Sequence, residues 1–213
     1  FSNGIAGASL QLDSGIALTT ANIIDTFSAN TTTSSVDVAG GTYTDAELTS
    51  IGLSGTINDL IIFEFDAVLD PLATVLTIDY QFMSDEYNEY VGSAFNDVFG
   101  YFITSDTTAP YTGYQNFALV PGTSNPTSIN FVNNGSLGTN STGAPTDLTQ
   151  SAQFIDNPVG TPPIFVEFDG MTKKIRASAT GLVPGTTYHV KLAIADISDS
   201  SFDSAILINL ISG

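Results

Sequence analysis

Short stretches in which apolar and polar residues alternate recur along the chain, and this pattern constrains the fold more than any other feature. Residues 74–83, 173–179 and 188–195 show it most clearly. Side chains of a β-strand point alternately to opposite faces. Each stretch therefore predicts a strand with one face on a core and the other in water. In residues 188–195 the water face would carry His189 and Lys191.

Three denser apolar runs, at residues 60–65, 97–103 and 205–211, predict strands that are covered on both faces. Asn-Gly, Asp-Gly and Pro-Gly pairs between the strands are turn signals. Many short strands separated by such turns are typical of an all-β fold. We expect one domain over residues 1–213, folded as an antiparallel, jelly-roll-like β-sandwich with long loops.

Little helix is expected. Only residues 46–51 and 85–91 are compatible with a short helical turn, and Thr44 is the candidate N-cap of the first. Residues 133–151 are rich in Asn, Gly, Ser and Thr. This composition predicts a long loop that is either mobile or ligand-binding.

The charge balance excludes several partners. The chain has 22 acidic residues against 4 Lys and Arg, a formal net charge of −18. Such a surface repels phosphate backbones and anionic membrane surfaces, so we expect no nucleic-acid binding. No apolar run approaches the length of a membrane span, so no membrane insertion is expected either. Because the chain begins at Phe1, we expect a mature form or a piece of a longer protein.

Catalysis is the less favoured function. The absence of Cys excludes thiol nucleophiles, and no Gly-x-Ser-x-Gly motif is present. Asp85 with Glu86, or Glu86 with Asp97, are the carboxylate pairs that a glycosidase would need. Adjacent residues on a strand point to opposite faces, however, and sugar-cleaving clefts usually carry Trp, which is absent here. We expect a binding protein rather than an enzyme.

Acidic residues gather at two places, residues 84–97 and residues 196–204, and each follows an alternating strand. Packed carboxylates repel one another, and Ca²⁺ converts this repulsion into coordination by taking 6–8 oxygen ligands. Neither place matches the EF-hand pattern. The residues alone leave two interpretations open, a calcium site and a pair of solvated loops. Single aspartates elsewhere, Asp45 and Asp59 among them, are interpreted as turn or cap residues.

Tyrosines lie beside the first acidic stretch. Alternation places Tyr80 and Tyr101 in the core, whereas Tyr87 and Tyr90 have a loop-like context. Tyr is favoured at binding surfaces because it offers a rigid face and a hydroxyl at low entropic cost. The alternative is that these side chains fasten the loop to the sheet, and the sequence leaves both readings open.

Six blocks, in order, resemble the choice-of-anchor L family of bacterial surface domains, and the likeness runs from about Gly15 to the C-terminus. They are residues 82–91 (FMSDEYNEYV), 95–103 (FNDVFGYFI), 116–123 (NFALVPGT), 168–172 (FDGMT), 188–196 (YHVKLAIAD), and Asp199 with 203–205. One departure is Met171, where the family usually has Phe. The chain is also similar to the calcium-dependent peptide-binding domains of bacterial RTX adhesins.

The resemblance implies an extracellular, calcium-loaded module at the bacterial cell surface, excised from a larger protein and acting as a monomer. Its ligand would be a peptide or a cell-surface protein. A glycan ligand, and a structural spacer stiffened by Ca²⁺, are the alternatives. By position, the implied metal ligands are Asp85, Glu86, Asn96, Asp97, Asp196, Asp199 and Asp203. The implied ligand-binding residues are Glu86, Tyr87, Glu89, Tyr90 and Ser93.

Overall fold

The alternating stretches form the strands of two antiparallel sheets. The computed structural model describes residues 1–33, 40–52, 54–105, 107–160 and 164–212. The strands are β1 (Ile16–Thr19), β2 (Thr42–Tyr43), β3 (Ile57–Val68), β4 (Val75–Ser84), β5 (Val98–Thr104), β6 (Gln115–Asn116), β7 (Thr127–Ser128), β8 (Phe154–Asp156), β9 (Gly170–Thr172), β10 (Ile175–Thr180), β11 (Thr187–Ile197) and β12 (Ser204–Ser212). The helices are α1 (Gly4–Ala8), α2 (Ile23–Thr26) and α3 (Ala46–Ser50), with a 3-10 turn at Ser151–Gln153.

The first sheet has the order β1-β12-β4-β9-β8, and β10 also pairs with β4. The second sheet has the order β2-β3-β11-β5-β6, and β7 also pairs with β5. Large side chains from both sheets meet in the main core, among them Tyr80, Phe82, Phe99, Tyr101 and Tyr188. The prediction of an all-β antiparallel sandwich is confirmed.

β4 shows both the strength and the limit of the alternating pattern. Its apolar residues face the core as predicted. The prediction that its other face lies in water is wrong, because Asp79 and Gln81 are buried. Asp79 accepts hydrogen bonds of 2.7 and 2.8 Å from the Arg176 guanidinium on β10. The Gln81 amide donates to the Thr172 carbonyl at 3.2 Å.

β3 corrects a second prediction. Residues 60–65 were expected to be covered on both faces, yet Ile61, Ile62 and Phe63 are each exposed by more than a third. The reason is topological. In the described part of the chain β2 pairs only with the first two residues of β3, so the rest of this strand forms a sheet edge.

The short helix α3 forms where the sequence predicts one, but its N-cap is Asp45 rather than Thr44. Oδ1 of Asp45 accepts from the Leu48 backbone N–H at 2.9 Å. Leu48 then packs on the second sheet in a small apolar cluster that includes Phe102 and Ala193. The residues at 85–91 form hydrogen-bonded turns rather than a helix, and α1 and α2 were not predicted.

Residues 133–151 are a loop, as predicted, and the loop is docked on the segment that follows β4. The backbone N–H of Gly138 donates to the Val91 carbonyl, and that of Asn140 to the Glu89 carbonyl, both at 2.9 Å. A Cβ at position 138 would lie 2.1 Å from the Glu89 carbonyl oxygen, so this close approach requires glycine.

Candidate functional site

Both acidic stretches lie at the same end of the sandwich. Ser84, the last residue of β4, pairs with Ser204 at the start of β12. Val98, the first residue of β5, pairs with Ala195 near the end of β11. Pairing of these strand ends therefore brings together two loops that are about a hundred residues apart in the sequence. A backbone hydrogen bond of 3.1 Å from Asp85 N–H to the Asp203 carbonyl links them.

Five acids of these loops are buried almost completely, and we call them the acidic cluster: Asp85, Glu86, Asp97, Asp196 and Asp203. Electrostatic repulsion among them adds to the pKa shifts described below. In the described structure, the ion pairs of Lys174 and Arg176 go to Asp79, and that of Lys191 goes to Asp45 and Glu47. These three cations thus form their ion pairs with acids outside the cluster.

Asp97 joins the two loops. One carboxylate oxygen accepts from the Ile197 backbone N–H at 2.9 Å, and the other accepts from the Ser204 hydroxyl at 2.8 Å. Burial raises the pKa of Asp97 above its usual range, and these two hydrogen bonds oppose the shift. The neighbouring carboxylates of Asp199 and Asp203 raise the pKa further. Asp97 therefore links the two loops through these hydrogen bonds, and ionising its buried carboxyl costs free energy.

Only one of the two carboxylate oxygens of Asp196 has a hydrogen-bond partner in the described structure. Its Oδ1 accepts from the Thr20 hydroxyl at 2.8 Å, and Thr20 is held by the backbone of Ser204. Its Oδ2 is buried and has no hydrogen-bond partner among the described residues. Burial, followed by repulsion from Asp97, raises the pKa of Asp196 well above the usual carboxyl value.

Glu86 is the least satisfied member of the cluster. The residue is fully buried, and within the described structure neither carboxylate oxygen has a hydrogen-bond partner. Burial raises its pKa strongly, and the carboxylates of Asp97 and Asp199 add to the shift. A buried polar group without a partner is unusual, since it loses water and gains nothing in return. A cation is the partner that would restore the balance for a carboxylate.

The donor chemistry fits a hard cation such as Ca²⁺, whose ligands are carboxylate, carbonyl, hydroxyl and water oxygens. No group of three or more His, Cys, Asp or Glu side chains in the described ranges is arranged to hold a metal ion. The Glu86 carboxylate oxygens and Oδ2 of Asp196 are buried without hydrogen-bond partners in the described structure, so they are the candidate carboxylate ligands. Backbone, hydroxyl and water oxygens would supply the rest.

The remaining implied metal ligands occupy different surroundings. Asn96 is half-buried, and its amide oxygen accepts from the Asn130 backbone N–H at 2.8 Å. Asp199 is also half-buried and lies at the rim of the cluster. The amide oxygen of Asn96 is the atom that would bind a metal, and it is already used to hold a neighbouring loop.

Two residues near the cluster were not recognised as site residues. Thr20 supports Asp196, and Asp59, interpreted as a turn residue, is buried near enough to raise the pKa of Asp196. The pairing of β11 with β3 shifts register between Ile194 and Asp196, opposite Asp59. Such a bulge brings an extra residue into the strand. The position of this bulge depends on how β3 and β11 pair, so the sequence around Asp59 does not indicate it.

A cleft of about 290 Å³ lies beside the segment that follows β4. Its lining residues are Thr33, Tyr87, Asn88, Glu89, Asp156, Pro158, Val159 and Asp169. The Asn88 amide donates to Asp156 at 2.8 Å across the cleft. Burial raises the pKa of Asp169 to about 6, while a hydrogen bond from Asn30 lowers it. The lining contains three acids and no Lys or Arg, so it favours a positively charged group.

The implied ligand-binding residues divide into two groups. Glu86, Tyr87 and Ser93 are fully buried, whereas Glu89 is exposed and Tyr90 is half-exposed. The Tyr87 hydroxyl donates to the Val132 carbonyl at 2.6 Å. Of the two readings for Tyr87, this contact matches the one in which the side chain fastens the loop. Glu89 and Tyr90 are the members of the set that present their side chains to solvent.

The fold and site define a β-sandwich domain whose candidate binding residues lie on loops at one end. The family model of the Choice-of-anchor L domain matches residues 1–212, and the chain belongs to this family. Domains of this family are a non-catalytic type associated with the bacterial cell surface. Searches among curated proteins and among solved structures give no match to the chain. Within the described ranges, no helix is long and apolar enough to cross a membrane.

Proposed function

We propose that the chain is the Ca²⁺-dependent ligand-binding module of a bacterial extracellular adhesin, and that it binds a peptide or protein on the surface of a target cell. The observation that carries this proposal is the Glu86 carboxylate, whose two oxygens are buried in the acidic cluster without hydrogen-bond partners in the described structure. The module would act as a monomer.

The first step is cation binding. Burial, with added repulsion between neighbouring carboxylates, raises the pKa values of Glu86, Asp97 and Asp196, so without a cation these acids hold their protons more strongly. A Ca²⁺ ion would let Glu86 and Asp196 ionise by giving their unpartnered oxygens a positive partner. The ion would thus stabilise the end of the sandwich on which the loops lie.

The second step links the ion to the ligand. The segment after β4 carries Glu86 into the cluster, and the next three residues line the cleft. An ion that holds Glu86 would also hold Asn88 and Glu89 at the cleft wall. Affinity improves when the binding surface is ordered before the ligand arrives, because less conformational freedom is then lost on binding.

The lining of the cleft indicates the ligand class. Glu89, Asp156 and Asp169 are negative when ionised, and a basic side chain or a terminal amine of a peptide would complement them. The volume suits a few side chains rather than a folded domain. The absence of Trp also favours a peptide over a glycan, since sugar rings commonly stack on Trp.

The test is a binding screen on immobilised protein with peptides of graded positive charge, in Ca²⁺, in Mg²⁺ and in EDTA. We expect basic peptides to bind in Ca²⁺, to be released by EDTA and to return with Ca²⁺. Glu89→Gln should weaken binding at least several-fold. Glu64→Gln makes the same charge change on β3, in the second sheet, and should leave binding unchanged.

Three outcomes would contradict the proposal. Competition by free sugars but not by peptides would identify a glycan-binding module. A Ca²⁺-dependent rise in melting temperature without binding of either class would identify a structural spacer. Equal peptide binding in Ca²⁺ and in EDTA would separate the cleft from the cation and disprove the dependence on Ca²⁺.

A further inference from the structure

Lys191 lies where the sequence does not place it. Alternation along β11 predicts that its side chain faces water, but the residue is only 4% exposed. It belongs to the outer face of the second sheet, beside Phe102 on β5 and two residues before the buried Ala193. α3 packs over this face through Leu48. A lysine amine is therefore enclosed between a sheet and a helix, away from bulk water.

Two carboxyl groups enclose the amine. Nζ of Lys191 contacts Oδ2 of Asp45 in a very close ion pair, and it donates to Oε2 of Glu47 at 2.8 Å. Asp45 is buried, and Glu47 is half-buried. The other oxygen of Asp45 is already used, because Oδ1 accepts from the Leu48 backbone N–H at 2.9 Å. The cap bond thus orients the Asp45 carboxyl so that only Oδ2 faces the amine.

We propose that Lys191 and Asp45 become joined by an intramolecular amide bond, with Glu47 as the proton carrier. The reaction is a condensation of an amine with a carboxylic acid. Nζ of the neutral amine attacks Cγ of the protonated Asp45 carboxyl and the Nζ–Cγ bond forms. The Cγ–Oδ2 bond then breaks. Glu47 takes one proton from Nζ and passes it to the departing Oδ2, which leaves as water. No oxidant, reductant or cofactor is consumed.

The enclosed position of Lys191 and Asp45 favours the condensation in several ways. Holding the two reacting groups in contact replaces a collision between separate molecules and raises their effective concentration. Burial lowers the pKa of Lys191, although the bonds to Asp45 and Glu47 raise it more, so the ion pair is the resting form. Proton transfer within these contacts yields the neutral amine, and low polarity reduces the energy gap between the ion pair and the neutral pair. Exclusion of water also opposes hydrolysis of the product.

The bond would join a helix near the start of the chain to a central strand near its end. Asp45 and Lys191 are separated by 146 positions. An amide between them would close that length of chain into a loop. Closing a long loop restricts the unfolded chain and so stabilises the folded one. For a domain at a cell surface, the link would persist when reductants or chelators are present, because it involves neither sulfur nor metal.

The test is the intact mass of the purified chain under denaturing conditions, together with fragmentation of its protease digest. We expect a mass lower than that of the sequence by one water molecule, and a branched peptide that joins Asp45 to Lys191. Lys191→Arg keeps the positive charge but removes the amine nucleophile, and it should restore the full mass. Glu47→Gln should abolish or greatly slow the loss of water. Lys174→Arg, in the partly exposed ion pair with Asp79, should keep the deficit.

A further variant keeps the test decisive if Lys191→Arg fails to fold. In Asp45→Asn the leaving group is ammonia rather than water, so the mass deficit should change to that of ammonia. A full sequence mass for the unmodified chain, also after prolonged incubation, would overturn the proposal and leave a buried ion pair. A deficit that persists in Lys191→Arg would overturn it as well, because dehydration of an aspartate to a succinimide requires no lysine.

Discussion

Two groups of buried carboxylates depend on the same strand, and they differ in one respect. Asp45 and Glu47 meet Lys191 of β11 in a triad that includes its own cation. The acidic cluster contains Asp196 at the end of the same strand, and burial with repulsion raises the pKa values of Asp196, Asp97 and Glu86. Burial acts on both groups. The fold supplies a lysine to the first group, whereas for the second group we propose that a bound cation supplies the positive charge.

The largest expected effect comes from removing the internal cation. Measured against a parent chain that has not lost water, Lys191→Met leaves Asp45 buried beside Glu47 without a positive partner, and breaking a buried ion pair in this way costs about 3–5 kcal/mol. Urea unfolding at neutral pH would measure the loss in the free energy of unfolding. Lys174→Met, which removes a partly exposed lysine from Asp79, is the control and should lose far less. Equal losses in the two variants would mean that the triad contributes no more than a surface pair.

The next largest effect is expected when Ca²⁺ is added to the protein and binds at the acidic cluster. At a concentration 100 times its Kd, a cation that binds only the folded state adds about 2.7 kcal/mol per site. We expect Ca²⁺, and Mg²⁺ to a smaller extent, to raise the melting temperature of chelator-treated protein. Metal analysis before the titration verifies that the protein has been stripped. An unchanged melting temperature in stripped protein would show that the acidic cluster needs no cation.

A pH series separates the two groups without mutation. In the acidic cluster, burial with repulsion raises the pKa values of Asp97 and Glu86, and burial raises the pKa of Asp169, which lines the neighbouring cleft, to about 6. An acid whose pKa is higher in the folded state contributes stability at low pH and loses it as pH rises through that folded value. In chelator we expect stability to fall by about 1–2 kcal/mol between pH 5 and pH 8.

Saturating Ca²⁺ should reverse this slope, because the ion binds deprotonated carboxylates and competes with protons. Thermal unfolding at each pH, with and without the ion, gives both slopes. Stability that rises with pH in chelator would contradict the raised pKa values of the cluster.

The smallest change in baseline stability is expected at Glu86. Its raised pKa keeps it protonated at neutral pH in the absence of a cation. Glu86→Gln therefore replaces one neutral group by another of similar shape, and stability in chelator should change by less than about 0.5 kcal/mol. The stability that Ca²⁺ adds to the parent chain should be absent in this variant. Glu89→Gln makes the same replacement on an exposed neighbour and should keep the increment. Retention of the full increment in Glu86→Gln would remove Glu86 from the site.

Strand positions could be predicted because alternation is a local property. β4 and β11 form at two of the predicted stretches, and their apolar faces contribute to the main core. What lies over the opposite face could not be predicted, since another part of the chain decides it. Lys191 is buried because α3 packs above it.

The candidate site was predictable to a similar extent. The concentration of acids after two alternating strands identified its two loops, and the family confirms the cell-surface setting. The meeting of those loops depends on the pairing of β4 with β12 and of β5 with β11. Asp59 reaches the cluster through a register shift in β3, which arises only when the strands pair.

The pairing of the first strand with the last one also bears on the order of folding events. β1 pairs with β12, and the acidic cluster combines Glu86 and Asp97 with Asp196 from the other end of the chain. Contacts between such distant residues form late and slowly, because a long loop must close first. A cation held by these residues would act only after the sheets have closed. We therefore expect it to slow the unfolding rate and leave the folding rate almost unchanged, so that calcium governs the lifetime of the folded state rather than its formation.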